Sequence, residues 1–351
     1  KDIKKMDTFI HYGLAASFMA MDDAGLVVTE ANANRIGALI GSGIGGIRGI
    51  EQNALDLDAG GPRKVSPFYI PSTIINMISG QLCIMKGIKG PNFSAVSACA
   101  SSNHSIGMAM RMIQYGDADV MIAGGAEHGC TPGSIAGFCA MKALSTRNDE
   151  PTRASRPWDR DRDGFVLSDG AGILVLEEYE HAKARGAKIY CEIAGGGATA
   201  DAHHITAPHP EGLGAKNVMN VALKDAGMKP ENIDYINVHG TSTPLGDIAE
   251  TKAILSVFGD HAYNLNISST KSMTGHCLGA AGVLEALACI MAVVKDVVPP
   301  TINHFTDDPD LDPKLNFTFN KAQHRTINAA LSNTFGFGGH NASVIVKKYV
   351  A

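Results

Sequence analysis

The sequence lacks the cysteine spacing of a disulfide framework or of a zinc site. Its seven cysteines are an odd number, and no two of them form a CxxC pair. Disulfide-stabilised domains and structural zinc sites both depend on paired cysteines. We therefore interpret most of these thiols as small buried side chains of a protein in the reducing cytoplasm, and we expect no metal.

Long apolar runs, a strong charge and low-complexity linkers are also missing. The longest apolar run, VLEALACIMAVV, is short and contains Glu285, so no membrane insertion is expected. The charged, amphipathic opening KDIKKMDTFIHYG does not resemble a signal peptide. A formal net charge of −5 gives no indication of nucleic-acid binding. With 45% apolar and 19% charged residues, the composition is typical of a compact soluble protein.

Glycine, in contrast, is abundant and recurs where apolar runs end, as in RIGALIGSGIGG, ADVMIAGGAE and YINVHGTS. Such runs predict strands followed by tight turns. Apolar residues at helical spacing predict helices over 70–88, 101–115, 214–226, 244–258 and 278–295. Alternating strands and helices indicate an α/β protein with largely parallel, buried sheets. The charged, proline-containing segment 145–169 is expected to form a long, ordered surface loop.

The GSGIGG segment carries the dinucleotide-binding pattern. Gly41, Gly43 and Gly46 satisfy GxGxxG after a predicted strand. The residues that follow do not read as a clean helix and a second strand ending in an acid, so glycines of a close-packed turn are the preferred interpretation. A nucleotide-binding dehydrogenase remains an alternative.

Cys99, His239 and His276 each lie where an apolar run meets a turn of small residues before a helix. At a helix N-terminus the dipole favours a thiolate, and a backbone N–H there can help to form an oxyanion hole. The repeated setting suggests two related halves and a site for thiol catalysis. An inert buried cysteine and a metal site are the alternatives, although short ligand spacing is missing.

Four segments resemble the motifs of β-ketoacyl-[acyl-carrier-protein] synthases of the bacterial type II elongating kind: ACASS, HGTSTPLGD, STKSMTGH and NTFGFGGHN. GGAEHG, VPPTIN and the segment from ALSTRNDE to SDGAG extend the likeness over nearly the whole chain. The resemblance implies the thiolase fold, with five αβαβα layers, two pseudo-symmetric halves and a homodimer. We assign the halves to 1–185 and 186–351. Family members begin upstream of Lys1, so the first strand of the N-terminal half is expected to be missing.

The resemblance also implies roles for individual residues. Cys99 would be acylated, and His239 and His276 would stabilise the enolate formed when a malonyl group loses CO2. Lys271 and Glu285 would support the histidines. The remaining assignments are Phe337 as an oxyanion N–H donor and gate, Thr241 and Thr243 as contacts of the phosphopantetheine arm, and Ile44 as the lining of the acyl pocket.

Acyl and malonyl thioesters on an acidic acyl carrier protein are the implied substrates, and no metal or redox cofactor is required. The implied docking patch for the carrier is basic and consists of Lys1, Lys4, Lys5, Arg63, Lys64 and Lys142. Three alternatives keep the fold: a polyketide ketosynthase, a degradative thiolase, and a chain-length-factor-like partner. A thiolase usually has a second cysteine where this chain has His276, and a chain-length factor lacks the active cysteine.

Overall fold

Helices and strands alternate along the chain in the structure, a computed structural model that describes residues 2–350. The helices are α1 Thr8–Asp23, α2 Ile47–Gly60, α3 Tyr69–Thr73, α4 Met77–Lys86, α5 Ser101–Gln114, α6 Pro132–Ala140, α7 Tyr179–Ala184, α8 Leu213–Asp225, α9 Pro244–Phe258, α10 Lys271–Thr274 and α11 Ala281–Lys295. The strands are β1 Ile36–Gly41, β2 Asn92–Phe93, β3 Val120–Glu127, β4 Gly170–Glu177, β5 Cys191–Ala200, β6 Tyr235–Asn237, β7 Asn266–Ser268, β8 Val297–Val298, β9 Gln323–His324, β10 Ala329–Gly336 and β11 His340–Lys348.

One predicted helix is divided into two. The pattern at 70–88 forms α3 and α4, because Ile74 adopts an extended backbone with ψ of 139°. Thr73 at the end of α3 turns its hydroxyl back onto the carbonyls of Tyr69 and Ile70. Such bonds compete with continuation of a helix.

The first compact unit consists of Lys1–Gly137, Ser168–Lys188 and Cys277–Val283. Its sheet has the order β2-β1-β3-β4, with β1 parallel to β2 and β3, and β4 antiparallel to β3. β1 and β3 are buried along their whole length, as a near-continuous apolar run predicts for a central parallel strand. Ile40 and Ile122 pack with Ile10 and Leu14 of α1 in the core.

The second compact unit consists of Phe138–Leu167, Ile189–His276 and Leu284–Ala351. Its sheet has the order β5-β11-β10-β6-β7. β6 is parallel to β7 and β10, whereas β11 is antiparallel to β10 and β5. Ile236, Leu331 and Ile345 from three of these strands pack with Trp158 in the core.

The two sheets share one strand order. β2-β1-β3-β4 in the first unit corresponds to β7-β6-β10-β11 in the second, with the same parallel and antiparallel pairings. β5 has no counterpart beside β4 among residues 2–350. Each unit draws on separate stretches of chain, and the boundary between halves at 185 and 186 stays a prediction.

The segment around Glu285 forms the predicted helix over 278–295, as the short 3-10 helix Leu278–Ala280 followed directly by α11. Leu278–Lys295 spans 18 residues, which by length and composition is enough to cross a membrane, but 67% of it is buried inside the protein. Extensive burial is the property of a core helix.

Segment 145–169 is ordered, but the expectation that it lies on the surface is wrong for its centre. Trp158 and Asp159 are fully buried. The Asp159 carboxylate accepts hydrogen bonds from the N–H groups of Phe305 and Thr306, over 2.6 and 2.8 Å. Because these bonds satisfy its charge, the segment can enter the core of the second unit.

Candidate active site

Cys99 lies at a tight turn that leads into α5 in the first unit. Ala98 before it has a φ of 50°, a left-handed conformation that costs a non-glycine residue roughly 1–2 kcal/mol. Ser101 holds the turn, since its Oγ donates to the Ala98 carbonyl over 2.7 Å and accepts from the Ser97 N–H over 2.9 Å. The thiol is therefore buried just before a helix N-terminus, where the helix dipole favours its ionised form.

Small residues allow α5 to approach the sheet closely. A β-carbon on Gly41 would come within 3.0 Å of the Ser105 hydroxyl, and one on Gly125 within 2.8 Å of the Ser102 β-carbon. Both glycines belong to central strands of the first sheet. Side chains at these positions would push away the helix that follows Cys99.

His239 follows β6 in the second unit, and a buried carboxylate fixes its backbone. Glu250 of α9 accepts hydrogen bonds from the N–H groups of His239 and Gly240, each over 3.0 Å. The His239 imidazole lies edge-on to that of His276, with ring centroids 5.3 Å apart, and its centroid is 5.6 Å from that of Phe335.

Lys271 determines which nitrogen of His239 carries the proton. Its Nζ is 3.5 Å from His239 Nδ1, and a lysine ammonium has only donors to offer. Nδ1 is therefore the acceptor, and Nε2 carries the proton of the neutral ring. Burial, followed by the charge of Lys271 and the neighbouring His276, lowers the pKa of His239 well below 6.5. The ring is thus neutral at neutral pH and offers an Nε2–H donor.

His276 is only 3% exposed. Its N–H donates to the Val166 carbonyl over 2.7 Å, and its ring lies edge-on to Phe165 with centroids 5.3 Å apart. Burial and the charge of Lys271 lower the pKa of His276 well below its ordinary value. The second unit therefore holds two neutral imidazoles side by side.

Lys271 and Glu285 form a buried ion pair, in which Nζ donates to Glu285 Oε1. Burial raises the pKa of Glu285, and the charge and the hydrogen bond of Lys271 oppose that shift. A buried ion pair contributes little net stability. Because Lys271 lies beside His239 Nδ1, the role of the pair is to orient the His239 ring.

Phe337 lies in the turn between β10 and β11, and its side chain is 37% exposed. Gly338 and Gly339 in this turn have φ values of 87° and 74°, a region that glycine enters without steric cost. The Gly338 N–H donates to the Ile205 carbonyl over 2.7 Å, and Gly339 accepts from the Asp201 N–H over 2.9 Å.

Thr241 and Thr243 share a hydrogen bond between their hydroxyls over 3.0 Å. Thr243 precedes α9, yet its side chain does not cap the helix, and Pro244 occupies the first helical position. Capping, the competing explanation for these threonines, therefore does not account for Thr243.

Glu250 is a site residue that sequence reasoning missed. It falls on the buried face of α9 with Ala249 and Ala253, where an acid is rare unless it has partners. That pattern was the available signal. Burial raises the pKa of Glu250 to about 7, although the N–H donors of Gly240 and His239 oppose the shift.

The GSGIGG loop holds an internal anion. The N–H groups of Gly43, Ile44 and Gly45 all donate to the carboxylate of Glu127, which is fully buried. The donors that would receive a dinucleotide phosphate are already paired. The dehydrogenase alternative is therefore wrong.

The predicted docking cations that the structure describes are all exposed. Lys4, Lys5, Arg63 and Lys64 belong to the first unit, Lys142 belongs to the second, and Lys1 lies outside the described residues. Arg48, on α2 in the first unit, is a further exposed cation that the sequence analysis did not single out.

Comparison with known proteins identifies the relatives of this chain. The profile of the β-ketoacyl synthase N-terminal domain matches residues 1–182, and that of the C-terminal domain matches residues 190–305. The chain belongs to the β-ketoacyl synthase family. It is 56% identical to 3-oxoacyl-[acyl-carrier-protein] synthase 2 of Vibrio cholerae, over 99% of this chain and 84% of that protein. The enzyme of that name from Synechocystis is 53% identical, with 99% and 83% covered.

Solved structures of ketosynthases superpose closely on this chain. A type II polyketide ketosynthase in complex with its acyl-carrier protein superposes with a TM-score of 0.94 at 35% identity, covering 97% of this chain and 85% of that chain. A β-ketoacyl synthase from Burkholderia phymatum gives a TM-score of 0.91 at 36% identity, with 99% and 84% covered. The predicted thiolase fold is confirmed.

The enzyme class is confirmed as well: this member of the family is a condensing acyltransferase. Curated relatives named 3-oxoacyl-[acyl-carrier-protein] synthase 2 share 50–56% of its residues, whereas the type II polyketide ketosynthase shares 35%. The fatty-acid elongation assignment is therefore preferred over a polyketide ketosynthase, as the motifs predicted.

Proposed function

We propose that the chain joins an acyl group held on Cys99 to malonyl-acyl carrier protein, releasing CO2 and a 3-oxoacyl carrier protein. The pair of neutral histidines in the second unit is the observation that carries this assignment. His239 turns Nδ1 toward Lys271 and lies 5.3 Å from His276 between ring centroids. Each neutral imidazole carries one N–H, which can donate a hydrogen bond to an enolate oxygen.

The first half-reaction is acyl transfer. The Cys99 thiolate attacks the carbonyl carbon of the acyl thioester, and the tetrahedral oxyanion is held by the N–H groups of Cys99 and Phe337. Collapse expels the carrier as its thiolate, which takes up a proton, and leaves a thioester on Cys99. The left-handed Ala98 before the nucleophile supports this role, because strained backbone is characteristic of functional turns.

The second half-reaction is decarboxylation followed by condensation. Cleavage of the malonyl carbon–carboxylate bond releases CO2 and leaves enolate charge on the thioester oxygen, which His239 and His276 stabilise through Nε2–H. In a site that excludes water, each such donor is worth roughly 3–4 kcal/mol. The enolate carbon attacks the acyl-enzyme carbonyl, and Cys99 leaves as the thiolate. No external electron acceptor enters either step, so we propose neither a redox cofactor nor a metal.

Two measurements test this assignment. Mass spectrometry after exposure to an acyl carrier substrate should find one acyl group on Cys99, and Cys99→Ala should remain unlabelled. Release of CO2 from malonyl carrier protein should be lost in His239→Ala and in His276→Ala. An acyl label on a different residue, or full CO2 release by both histidine variants, would refute the proposal.

We further propose that the carrier docks on a basic surface of the first unit. Lys5 lies over the Phe68 ring, with Nζ 5.4 Å from the centroid. The Asp7 N–H donates to the Ser72 carbonyl, which joins the segment carrying Lys4 and Lys5 to the 66–74 region. Exposed apolar residues lie there, with Phe68 at 41% and Ile70 at 60%. An apolar patch near cations suits an acidic partner that also buries apolar surface.

Charge reversal tests the docking surface. Replacing Lys4, Lys5 and Arg63 by Glu should raise KM for the carrier-bound substrate and flatten its salt dependence. An acyl thioester without the carrier should react unchanged. A salt dependence equal to that of the wild type would argue against this surface.

A homodimer is proposed on the open edge of β2. Among residues 2–350, β2 pairs only with β1. Val96, just after β2, is 56% exposed, and Met108 on α5 is 43% exposed. An unpaired edge with nearby apolar surface is a site for association, and two similar ketosynthases were solved with a chain length factor. Sedimentation should report a dimer that Val96→Arg weakens, whereas a monomeric wild type would refute it.

We propose a cytoplasmic location. All seven cysteines lie within the described residues, and none of them forms a disulfide there, which suits a reducing compartment. Fractionation of the source cells should find the enzyme in the soluble cytoplasmic fraction, and recovery from the periplasm or membrane would refute this location.

A further inference from the structure

Glu127 ends β3 and is completely buried, yet the mechanism above gives it no role. Its carboxylate receives five hydrogen bonds. Oε1 accepts from the Ser42 hydroxyl over 2.7 Å and from the N–H groups of Ile44 and Gly45 over 3.1 and 3.2 Å. Oε2 accepts from the N–H groups of Gly43 and Gly279 over 2.6 and 2.9 Å.

These partners belong to two segments that are distant in sequence. Residues 42–45 follow β1 and include Ile44, the residue assigned to the acyl pocket. Gly279 lies three positions after His276, in the short 3-10 helix Leu278–Ala280. One carboxylate therefore joins the pocket loop to the turn that follows a catalytic histidine.

The second segment is strained where Glu127 binds it. Leu278 has a φ of 46°, and a left-handed leucine persists only when its surroundings hold it there. The adjacent Gly279 N–H donates to Glu127. The 42–45 loop also lies close to the turn that precedes Cys99. A β-carbon on Gly43 would come within 3.3 Å of the Ala98 carbonyl oxygen and 2.9 Å of Glu127 Oε2.

The partners also indicate the ionic state of the carboxyl group. The ionised form can accept all five hydrogen bonds. A protonated Oε2 would direct its own hydrogen at an N–H group, and a protonated Oε1 would require the Ser42 hydroxyl to turn and accept. Burial raises the pKa of Glu127, and the same hydrogen bonds oppose that shift.

From these contacts we infer that Glu127 is a positioning residue, an internal anion that holds the Ile44 loop and the turn after His276 in their catalytic arrangement. This inference rests on the proposed function. Glu127→Gln keeps the shape of the side chain but turns an NH2 group toward donors. A displacement of about 1 Å can cost roughly 10²-fold in rate.

The test compares Glu127→Gln and Ser42→Ala with Glu51→Gln. Glu51 is a suitable control because it also accepts a backbone N–H, that of Gly133 in the first turn of α6 over 3.0 Å, and a hydroxyl, that of Thr131 over 2.6 Å. Rates of Cys99 acylation and of CO2 release, the chain lengths of the products and Tm are measured for each full-length protein.

Glu127→Gln should release CO2 roughly 10²-fold more slowly and should change the distribution of product chain lengths. Ser42→Ala, which removes one of the five donors, should shift both readouts in the same direction by a smaller amount. Glu51→Gln should match the wild type. A purely structural role would lower Tm without changing the chain-length distribution of the folded enzyme.

Wild-type CO2 release and product lengths in Glu127→Gln would overturn the inference. If that variant does not fold, Ser42→Ala decides, and wild-type behaviour there would overturn it equally. A wild-type protein that neither acylates Cys99 nor releases CO2 would instead refute the proposed function.

Discussion

Replacing Glu250 by glutamine should reduce catalysis without reducing stability at alkaline pH. Glu250 accepts the N–H groups of His239 and Gly240 through its two oxygens, and Oε1 also accepts from Asn333 Nδ2 over 3.2 Å. Glutamine has one oxygen, so one N–H donor faces its NH2 group. An unsatisfied buried donor costs about 1–3 kcal/mol, which His239 can relieve by moving.

The ionisation of Glu250 destabilises the wild type at high pH, so its loss in the glutamine variant is stabilising. Burial raises its pKa from 4.5 to about 7. A raised carboxyl pKa means that the folded state binds the proton more tightly. The contribution of Glu250 to stability is therefore fully present below pH 4.5 and is lost as pH rises through 7. A shift of this size corresponds to roughly 3 kcal/mol at high pH. Glutamine carries no charge and removes this cost.

At pH 8 the two effects oppose each other, and we expect Tm of Glu250→Gln to equal or exceed that of the wild type. Its Tm should also vary less between pH 5 and 8. CO2 release from malonyl carrier protein should fall by a factor of about 10–100 because His239 is misplaced. Thermal unfolding at several pH values and a CO2-release assay on the same preparation test the expectation. Wild-type CO2 release, or a Tm that falls together with activity at pH 8, would refute the reasoning.

Other predictions follow from the same structure. Arg162→Met removes the buried partner of the Asp247 carboxylate, which lies 3.1 Å from Arg162 Nε, and should lower the free energy of unfolding by about 3–5 kcal/mol. Arg160→Met, which breaks an exposed pair, should cost under about 1 kcal/mol, and equal losses in denaturant titrations would contradict this. The rate of CO2 release at pH 6.5 should stay well above half of its maximum, because burial lowers the pKa of His239 well below that value. A midpoint of the pH–rate profile at 6.5 would instead indicate that the histidine is exposed to solvent. Ala98→Val should slow Cys99 acylation and lower Tm, since a β-branched residue tolerates a φ of 50° poorly; wild-type acylation kinetics would count against a strained turn before Cys99.

Much of the architecture was predictable because it depends on local pattern. Apolar runs ending in glycine predicted the buried strands β1 and β3, and apolar residues at helical spacing predicted α5, α8 and α9 within one residue at each end. The motif resemblance predicted the family, which the comparisons confirm. The division of 70–88 into two helices was missed, since a threonine hydroxyl and one extended residue decide it.

The partners of buried charges could not be predicted from the chain alone. Glu127 meets Gly279 across 152 positions of sequence, and Glu250 meets Asn333 across 83. Local spacing carries no information about such pairs, because tertiary packing selects the backbone N–H groups that a buried carboxylate reaches.

By itself, then, the sequence determined the α/β class, the family and the residue types available for thiol chemistry. These depend on side-chain identity and on the periods of helices and strands. Only the tertiary structure decided that the GxGxxG loop binds an internal carboxylate, that Lys271 faces Nδ1 of His239, and that Trp158 lies in the core. Each of these outcomes depends on which distant groups share a water-excluded space, where an unpaired polar atom costs more than the backbone strain needed to pair it.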